Sequence, residues 1–434
     1  MVTKREVGKL YIKKRSLPEW MTLYIFVFPF IISFLIGMLK LPSLFKYTVD
    51  AVWLIMMVLI FARRNIVIKR KLKPIVSFAG IFLLYTLITY IFHFQSPFYY
   101  LWGFRNNFRY YAAFIAFVTF LNEEDGKSCF KFIDILFWIN ISVSLYQFFV
   151  MGLEQDYLGG IFGIERGCNS YSILLFAIVL SKSLLLYMEG KEGAVSCFAK
   201  CGCALVLAAM AELKLFFLIF VFILVFSSIL TRFSVRKFVM LFVSALLLFV
   251  ASSVLTSVFG MAQELSFDRI VQLVTATNYA SAEDLGRFTA LPTISKTILT
   301  DVSDKIFGMG LGNCDTSAFA ICNTPFFETH QKLHYTWFSS AFLFLETGYI
   351  GLTLNLTFYV ICCLISFKLF KNGKSDRLFC QLGMIVSLLA IIMVFYNSSL
   401  RTEAGYMVYF VLSLPLVASR EWSGAAISEK TIKN

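Results

Sequence analysis

Long, uninterrupted runs of apolar residues dominate this sequence and constrain what it can fold into. About a dozen runs occur, each roughly 18–23 residues long, the length a helix needs to cross about 30 Å of hydrocarbon. Hydrophobic residues make up 59% of the chain and charged residues 15%, and the mean hydropathy is +0.77. This composition excludes a set of soluble domains, and continuous rather than alternating runs exclude a transmembrane β-barrel. The sequence predicts an all-α, polytopic integral membrane protein.

Hydropathy and charge together predict about twelve transmembrane helices. The predicted spans are Met21–Met38, Leu44–Ala62, Ile75–His93, Leu101–Leu121, Phe130–Met151, Ser170–Met188, Cys197–Ala211, Lys214–Leu230, Lys237–Phe259, Tyr349–Phe370, Leu378–Tyr396 and Glu403–Ala418. Residues 1–259 therefore hold spans one to nine, and residues 349–434 hold the last three spans and a tail. Residues 260–348 form one large external, periplasmic loop with amphipathic helices.

The positions of the basic residues predict the topology. The first span follows a basic segment that lacks a cleavage site, so it reads as a retained helix with a cytoplasmic N-terminus. The loops then assigned to the cytoplasm hold most of the 39 Lys and Arg residues, and an even number of spans returns the C-terminus to the cytoplasm. The net charge of +13 is scattered between apolar runs, so we expect no nucleic-acid partner.

The apolar segment Leu333–Leu345 is too short for a thirteenth span. Counting it as a span would also place the basic loop Lys371–Arg377 outside the cytoplasm, against the positive-inside rule. We therefore expect His334–Thr347 to form an amphipathic helix at the outer surface.

Arginines at the start of the fourth span are the first candidates for chemistry. Arg105 and Arg109 are four residues apart and share one helix face. They could clamp an anionic group such as a diphosphate, or snorkel toward lipid headgroups. At the other end of the chain, Arg401 could bind the same anion or pair with Glu403.

Two further segments carry polar residues at predicted outer boundaries. Arg166 and Asn169 follow a glycine-rich stretch just before the sixth span, where a helix N-terminus favours an anion. Glu212 and Lys214 lie between the seventh and eighth spans, where they could neutralise each other or leave Lys214 pointing into a central cavity. The glycines of residues 159–167 and of residues 308–312 do not have the spacing of a nucleotide-binding loop.

His330 and His334 have a spacing that could bind zinc, but no third ligand accompanies them, so we expect no metal. An acid/base role suits His334 better. Glu346 could hold the His334 imidazole or cap local backbone donors. The external Cys314 and Cys322 could form a disulfide or pack as small hydrophobic residues, and the sequence leaves both options open.

The order of these motifs resembles the O-antigen polymerase / O-antigen ligase family of bacterial membrane glycosyltransferases. The stretch from His334 to Gly351 is similar to the family's His-Asn-x-(apolar)-Glu-x-Gly-x-x-Gly pattern, with Tyr335 in place of Asn. Gly286-Arg287, followed by Phe307-Gly-Met-Gly-Leu-Gly-Asn313, resembles the family's external arginine, helix and glycine run. At 213–214 the family commonly has Ser-Arg, whereas this chain has Leu-Lys, which keeps a cation without bidentate geometry.

The resemblance implies a metal-independent, inverting glycosyltransferase without a cofactor, acting on undecaprenyl-diphosphate-linked glycan at the outer face of the bacterial cytoplasmic (inner) membrane. Its site would contain His334 as base and Arg287 as a catalytic cation. The substrate-binding candidates are Arg105, Arg109, Lys214, Arg166, Arg401, Asn169 and Glu346.

Within the family, we expect a polymerase of O-antigen or another surface polysaccharide, which moves growing glycan en bloc onto a lipid-linked repeat unit during lipopolysaccharide biosynthesis. The alternatives are a ligase that transfers glycan to lipid A core and, in a different class, a polysaccharide flippase or transporter. The partners that the resemblance implies are the lipid-linked donor and acceptor, a chain-length regulator and a flippase. The residues do not identify the sugars, the linkage or the oligomeric state.

Overall fold

The computed structural model describes residues 15–62, 72–259, 275–276, 283–317 and 319–419. Helices and 3-10 turns form all of its regular structure, with no strand in these ranges. The helices are α1 (Leu17–Leu39), α2 (Tyr47–Ala62), α3 (Lys73–His93), α4 (Pro97–Phe120), α5 (Glu123–Phe149), α6 (Asn169–Met188), α7 (Ala194–Met210), α8 (Lys214–Leu230), α9 (Val235–Phe259), α10 (Ala290–Thr297), α11 (Val302–Phe307), α12 (Pro325–His330), α13 (Ser339–Lys371), α14 (Arg377–Tyr396) and α15 (Glu403–Val417).

Six of these helices are long and apolar enough to cross a membrane, namely α1, α3, α5, α6, α13 and α14. Three more, α7, α8 and α15, are apolar but shorter. Each predicted span overlaps one helix, because a backbone surrounded by apolar side chains must satisfy its hydrogen bonds internally, as a helix does. The protein is therefore an all-α membrane protein. The predicted basic N-terminus, the C-terminal tail and most of 260–282 lie outside the described residues.

Burial separates central from peripheral helices. In α6 and α14, 83% and 72% of the most apolar window is buried, compared with 28% in α3. The outer face of α3 exposes large apolar side chains, including Leu84, Ile91 and Phe92, as a lipid-facing helix does. Helices α4, α6, α13, α14 and α15 pack together in the centre, where Phe26 and Phe117 contact Phe410.

Helix α13 is broken at Gly348, whose φ of 61° and ψ of −166° are not helical. A glycine-rich loop, residues 308–312, covers the break. Met309 N donates to Leu345 O at 2.8 Å, and Gly310 N donates to Glu346 O at 3.0 Å. From α3, the hydroxyl of Tyr85 donates to Thr347 O at 2.6 Å. The carbonyls freed by the break are thus satisfied by the loop and by a neighbouring helix.

The expected amphipathic surface helix at His334–Thr347 is wrong in two respects. The helix begins at Ser339, because His334 adopts a left-handed φ of 50° and a 3-10 turn follows it. Every residue from 339 to 348 is buried, so no face is left for a membrane surface. A helix that is apolar on all sides packs into a core, and this segment does so as the first half of α13.

Candidate functional site

Charged side chains from distant parts of the chain converge on the turn between α14 and α15, residues 397–402. This turn carries Arg401. Arg109 and Tyr110 reach it from α4, Asp315 from the loop after the glycine run, and Arg287 from the segment before α10. We call these side chains and their direct partners the arginine cluster.

Arg105 is held by protein groups rather than by lipid headgroups. Its Nη2 and Nε lie 2.6 and 3.0 Å from Asp50 Oδ2, and its guanidinium lies about 5 Å from the rings of Tyr47 and Trp102. The expectation of interfacial snorkelling is wrong for Arg105, because an acidic residue of α2 neutralises it inside the protein. The Arg105 guanidinium also donates to the side chain of Asn106, which connects Arg105 to the rest of the cluster.

Asp315 joins α4 to the turn. Asn106 Nδ2 donates to Asp315 Oδ2 at 2.6 Å, and Arg401 Nη2 lies 3.7 Å from the same oxygen. The Arg401 guanidinium also lies 3.2 Å above the ring of Phe342. The alternative that paired Arg401 with Glu403 is wrong, because Glu403 pairs with Lys46 at 3.6 Å.

Arg109 is the most enclosed cation of the cluster, with only 6% of its surface exposed. Its Nη2 donates to Tyr110 Oη at 2.6 Å and to Arg401 O at 2.8 Å, and its guanidinium lies 4.7 Å from the Tyr110 ring. A second ring, that of Tyr406, lies 5.7 Å away. This geometry favours a structural role for Arg109, which holds the turn from beneath, over direct contact with a diphosphate.

The two residues predicted to be catalytic lie on neighbouring segments. Leu285 N donates to Leu333 O at 3.1 Å, which places the chain before Arg287 beside the chain before His334. Arg287 donates to Tyr396 O at 3.4 Å and lies 4.0 Å above the Tyr396 ring, at the end of α14 and directly before the turn 397–402. The His334 imidazole stacks on the indole of Trp337 at 4.0 Å and is partly exposed.

Glu346 holds the glycine-rich loop. Its Oε1 accepts from Gly312 N at 2.9 Å, and the side chain is fully buried. Of the two expectations for Glu346, capping of backbone donors is therefore the one observed, and the expectation that it orients His334 is wrong. Tyr335, which occupies the Asn position of the family pattern, has a similar task, since its hydroxyl donates to Cys314 O at 2.5 Å.

Asn169, Arg166 and Lys214 form a second group next to the arginine cluster. Asn169 Nδ2 donates to Ala211 O at 2.8 Å, which ties the start of α6 to the turn that precedes Lys214 at the start of α8. The exposed Arg166 lies 3.7 Å from Asp156.

Sequence reasoning missed the carboxylates that organise the cluster. Asp50 carried a usable signal, because it is the single acidic residue in the otherwise apolar segment Tyr47–Ala62. Asp315 carried none, because it lies in an irregular loop and its partner Asn106 is 209 positions away.

Cys314, Cys322 and His330 take packing roles. Cys314 and Cys322 are both free thiols, and burial raises the pKa of each above its ordinary value. His330 Nδ1 lies 2.7 Å from the Thr329 hydroxyl, and its ring stacks on Phe326. In the part of the chain that the structure describes, no group of three or more His, Cys, Asp or Glu residues is arranged to hold a metal.

A second intramembrane ion pair lies away from the cluster. Lys182 of α6 donates to Asp134 of α5, and its ammonium lies 4.8 Å from the Phe130 ring.

The sequence matches no protein-family model and no curated protein. The family resemblance therefore rests on the residues quoted for it in the sequence.

Proposed function

We propose that this protein is a surface-polysaccharide polymerase of the O-antigen type. In this proposal twelve helices span the bacterial inner membrane, both termini are cytoplasmic, and the arginine cluster faces the periplasm. The substrate is glycan linked to undecaprenyl diphosphate, which is transferred en bloc onto a second lipid-linked repeat unit. No cofactor or metal takes part.

The observation that carries the proposal is the convergence of cations on the turn 397–402. The cluster around it contains four cationic side chains, Lys46, Arg105, Arg109 and Arg401, and three carboxylates, Asp50, Asp315 and Glu403. Arg287 donates to Tyr396 O, directly before the same turn. Guanidinium groups gathered at one turn suit an anionic ligand, and a lipid diphosphate is such an anion.

The proposed reaction is a single displacement. A hydroxyl oxygen of the acceptor sugar forms a bond to the anomeric carbon of the donor glycan, while the bond from that carbon to the diphosphate oxygen breaks. The electron pair of the broken bond stays on the diphosphate, and Arg287 and Arg401 stabilise the added charge. The proton of the acceptor hydroxyl passes to His334, which is partly exposed and lies on a segment next to that of Arg287. Attack opposite the leaving group inverts the anomeric centre.

A transporter is the second candidate, and the Lys182–Asp134 pair is the observation that favours it. Charges spread through helices toward both membrane faces suit a polar translocation path. In the polymerase proposal this pair only joins α5 to α6. A ligase would use the same chemistry as the polymerase and differ in its acceptor.

Deletion of the gene, followed by electrophoresis of cell-surface polysaccharide from deleted and complemented cells, tests the proposal. A polymerase predicts a single repeat unit on the anchor without a ladder, and return of the ladder on complementation. Polymer retained on undecaprenyl diphosphate with none on the anchor would indicate a ligase. An unchanged ladder would contradict both and favour the transporter.

Reporter fusions test the proposed topology. A fusion in the loop between α13 and α14, after Asn372, should be active only with a cytoplasmic reporter. A fusion after Asp301, before α11, should be active only with a periplasmic one. The reverse pattern at either position would contradict the topology.

A further inference from the structure

Three consecutive apolar residues, 319–321, are exposed in the loop that follows the glycine run. Phe319 is 41% exposed and Ile321 is 60% exposed, and Ala320 between them is exposed as well. The next residue, Cys322, is buried. A run of exposed apolar side chains in an irregular segment destabilises a protein in water unless the run has a function. We call residues 319–321 the apolar tip.

Hydrogen bonds between polar residues on either side of the apolar tip close the base of the turn. Asn323 Oδ1 accepts from Ser317 N at 2.8 Å and from the Thr316 hydroxyl at 3.1 Å. The Thr324 hydroxyl donates to Asp315 O at 3.0 Å. The exposure of the apolar tip is therefore a property of the folded loop, because its two ends are held together.

The apolar tip packs against α2 and α4, two helices that hydropathy predicts to span the membrane. The Phe319 ring lies 5.1 Å from the ring of Tyr47, the first residue of α2, and 6.0 Å from the ring of Trp102 in α4. Trp102 Nε1 also donates to Thr316 O at 3.2 Å, at the base of the turn. Tyrosine and tryptophan are enriched where membrane helices meet the lipid headgroups. These contacts place the apolar tip at the membrane boundary.

The chain on both sides of these contacts is apolar and exposed. Leu44 and Phe45 lie just before Tyr47, Phe98 and Leu101 lie just before Trp102, and all four are exposed. Exposed apolar side chains at the end of a membrane helix suit contact with lipid. The apolar tip is thus an addition to a surface that already suits lipid.

A protein partner fits the apolar tip less well than lipid does. A stable protein interface uses about 20–30 residues on each side, far more than the apolar tip offers. The helix that follows the turn, α12, exposes the polar residues Glu328 and Thr329, which suit water. Short apolar elements flanked by polar ones are typical of segments that dip into a membrane surface.

We propose that the apolar tip inserts into the bilayer leaflet on the side of the arginine cluster, so that lipid acyl chains surround Phe319 and Ile321. The contact with the membrane surface that the sequence predicts for His334–Thr347 is then made by this turn instead. Asp315 belongs to the same loop, so the inserted tip also holds Asp315 and its partner Arg401 near the lipid headgroups, where a lipid diphosphate lies. This last consequence rests on the function proposed above, whereas the insertion itself does not.

Fluorescence quenching in vesicles tests the insertion. The full-length Ile321→Cys protein is labelled with the environment-sensitive fluorophore NBD and reconstituted into phosphatidylcholine vesicles, with or without lipids that carry a nitroxide near the top of the acyl chain. Thr329→Cys is the matched control, because Thr329 is also exposed but lies on the polar helix α12. Wild-type protein, treated in the same way, gives the background from the native thiols, all of which are at least partly buried.

Insertion predicts that nitroxide lipids quench the label on Ile321→Cys at least about twofold more strongly than the label on Thr329→Cys, and that aqueous iodide gives the reverse order. Equal quenching of the two labels by iodide would place the apolar tip in water and overturn the proposal. Protection of the Ile321→Cys label from both quenchers would also overturn it, because a second copy of the chain would then cover the tip. If Ile321→Cys does not accumulate, Ala320→Cys replaces it in the same comparison.

The outcome is independent of the proposed polymerase function, because the vesicles contain no glycan substrate. A chain that fails to restore the polysaccharide ladder still shows whether the apolar tip enters the bilayer.

Discussion

Arg109 donates a hydrogen bond to the backbone oxygen of Arg401 at 2.8 Å, although the two residues are 292 positions apart. One arginine of the cluster therefore fixes the position of another. The buried Arg109 acts from beneath the turn, while Arg401 reaches out to Asp315. Substitutions at the two positions should consequently fail in different ways.

Arg401→Gln should lower polymer synthesis by at least about tenfold, because a charge-assisted hydrogen bond to the leaving group is lost. The protein should insert and accumulate normally. The ladder in the complemented deletion strain measures the effect. Lys127→Gln is the control, since it also removes a cation from an ion pair but lies exposed on α5. Full activity of Arg401→Gln would exclude Arg401 from the site.

Arg109→Gln should destabilise the protein by about 2–3 kcal/mol, because the hydrogen bonds from its guanidinium to Tyr110 and to the turn disappear. Reduced abundance in membranes and a lower melting temperature in detergent measure this effect. A variant that is as stable as wild type but inactive would instead place Arg109 in contact with substrate.

His334→Gln should abolish most polymer synthesis without affecting insertion, because glutamine cannot take the proton of the acceptor hydroxyl. His330→Gln is a close control. His330 lies four residues before His334 and, like it, stacks on an aromatic ring. His330→Gln should retain synthesis. Equal activity of the two variants would remove His334 from the proposed reaction.

Gly312→Ala should prevent normal accumulation. Its φ is +88°, and an added Cβ would lie 1.9 Å from Tyr99 O, in an α4 backbone that cannot move aside. Gly152→Ala shares the left-handed backbone, with φ of +65°, but its added Cβ meets no atom within 4 Å. Abundance of the two variants separates crowding from backbone strain. Equal abundance would contradict the close approach of the loop to α4.

The Glu189 carboxylate should make a pH-dependent contribution to stability. Burial alone would raise its pKa, but ion pairs with Lys191 and Arg377 outweigh burial and hold the pKa below the ordinary value of 4.5. A lowered folded-state pKa contributes stability that is present above pH 4.5 and is lost as the pH falls through the folded-state value. The melting-temperature difference between wild type and Glu189→Gln should therefore shrink on acidification below pH 4.5. A constant difference would contradict the ion pairs.

Hydropathy predicted the positions of the helices because a membrane span requires a long apolar segment. Such a segment is visible in consecutive residues, without knowledge of distant contacts. The same reasoning selected Arg109 and Arg401, since charges beside apolar runs need a partner, whereas Arg287 was selected through the family resemblance. Sequence reasoning could not distinguish the enclosed Arg109 from Arg401, because their environments depend on contacts hundreds of positions apart.

The segment 334–347 shows the other limit of sequence reasoning. Its length excludes an independent span, so the sequence favours a helix at the membrane surface. In the structure, the segment from Ser339 is instead a short buried helix that continues past the break at Gly348 into the longer, second part of α13. The glycine-rich loop stabilises this arrangement by donating hydrogen bonds to the short helix. This pairing leaves no periodic pattern in either segment, so the sequence alone does not predict it.

The glycine-rich loop that covers the break in α13 has a consequence for engineering. Met309, Gly310 and Gly312 supply donors to Leu345 and Glu346, and Gly348 approaches the backbone of Ile306 too closely to admit a side chain. The loop and the first segment of α13 therefore have to be exchanged together. A chimera that carries the loop of another protein should assemble only when it also carries that protein's equivalent of residues 339–351. The unit that can be exchanged thus includes both loop and membrane helix.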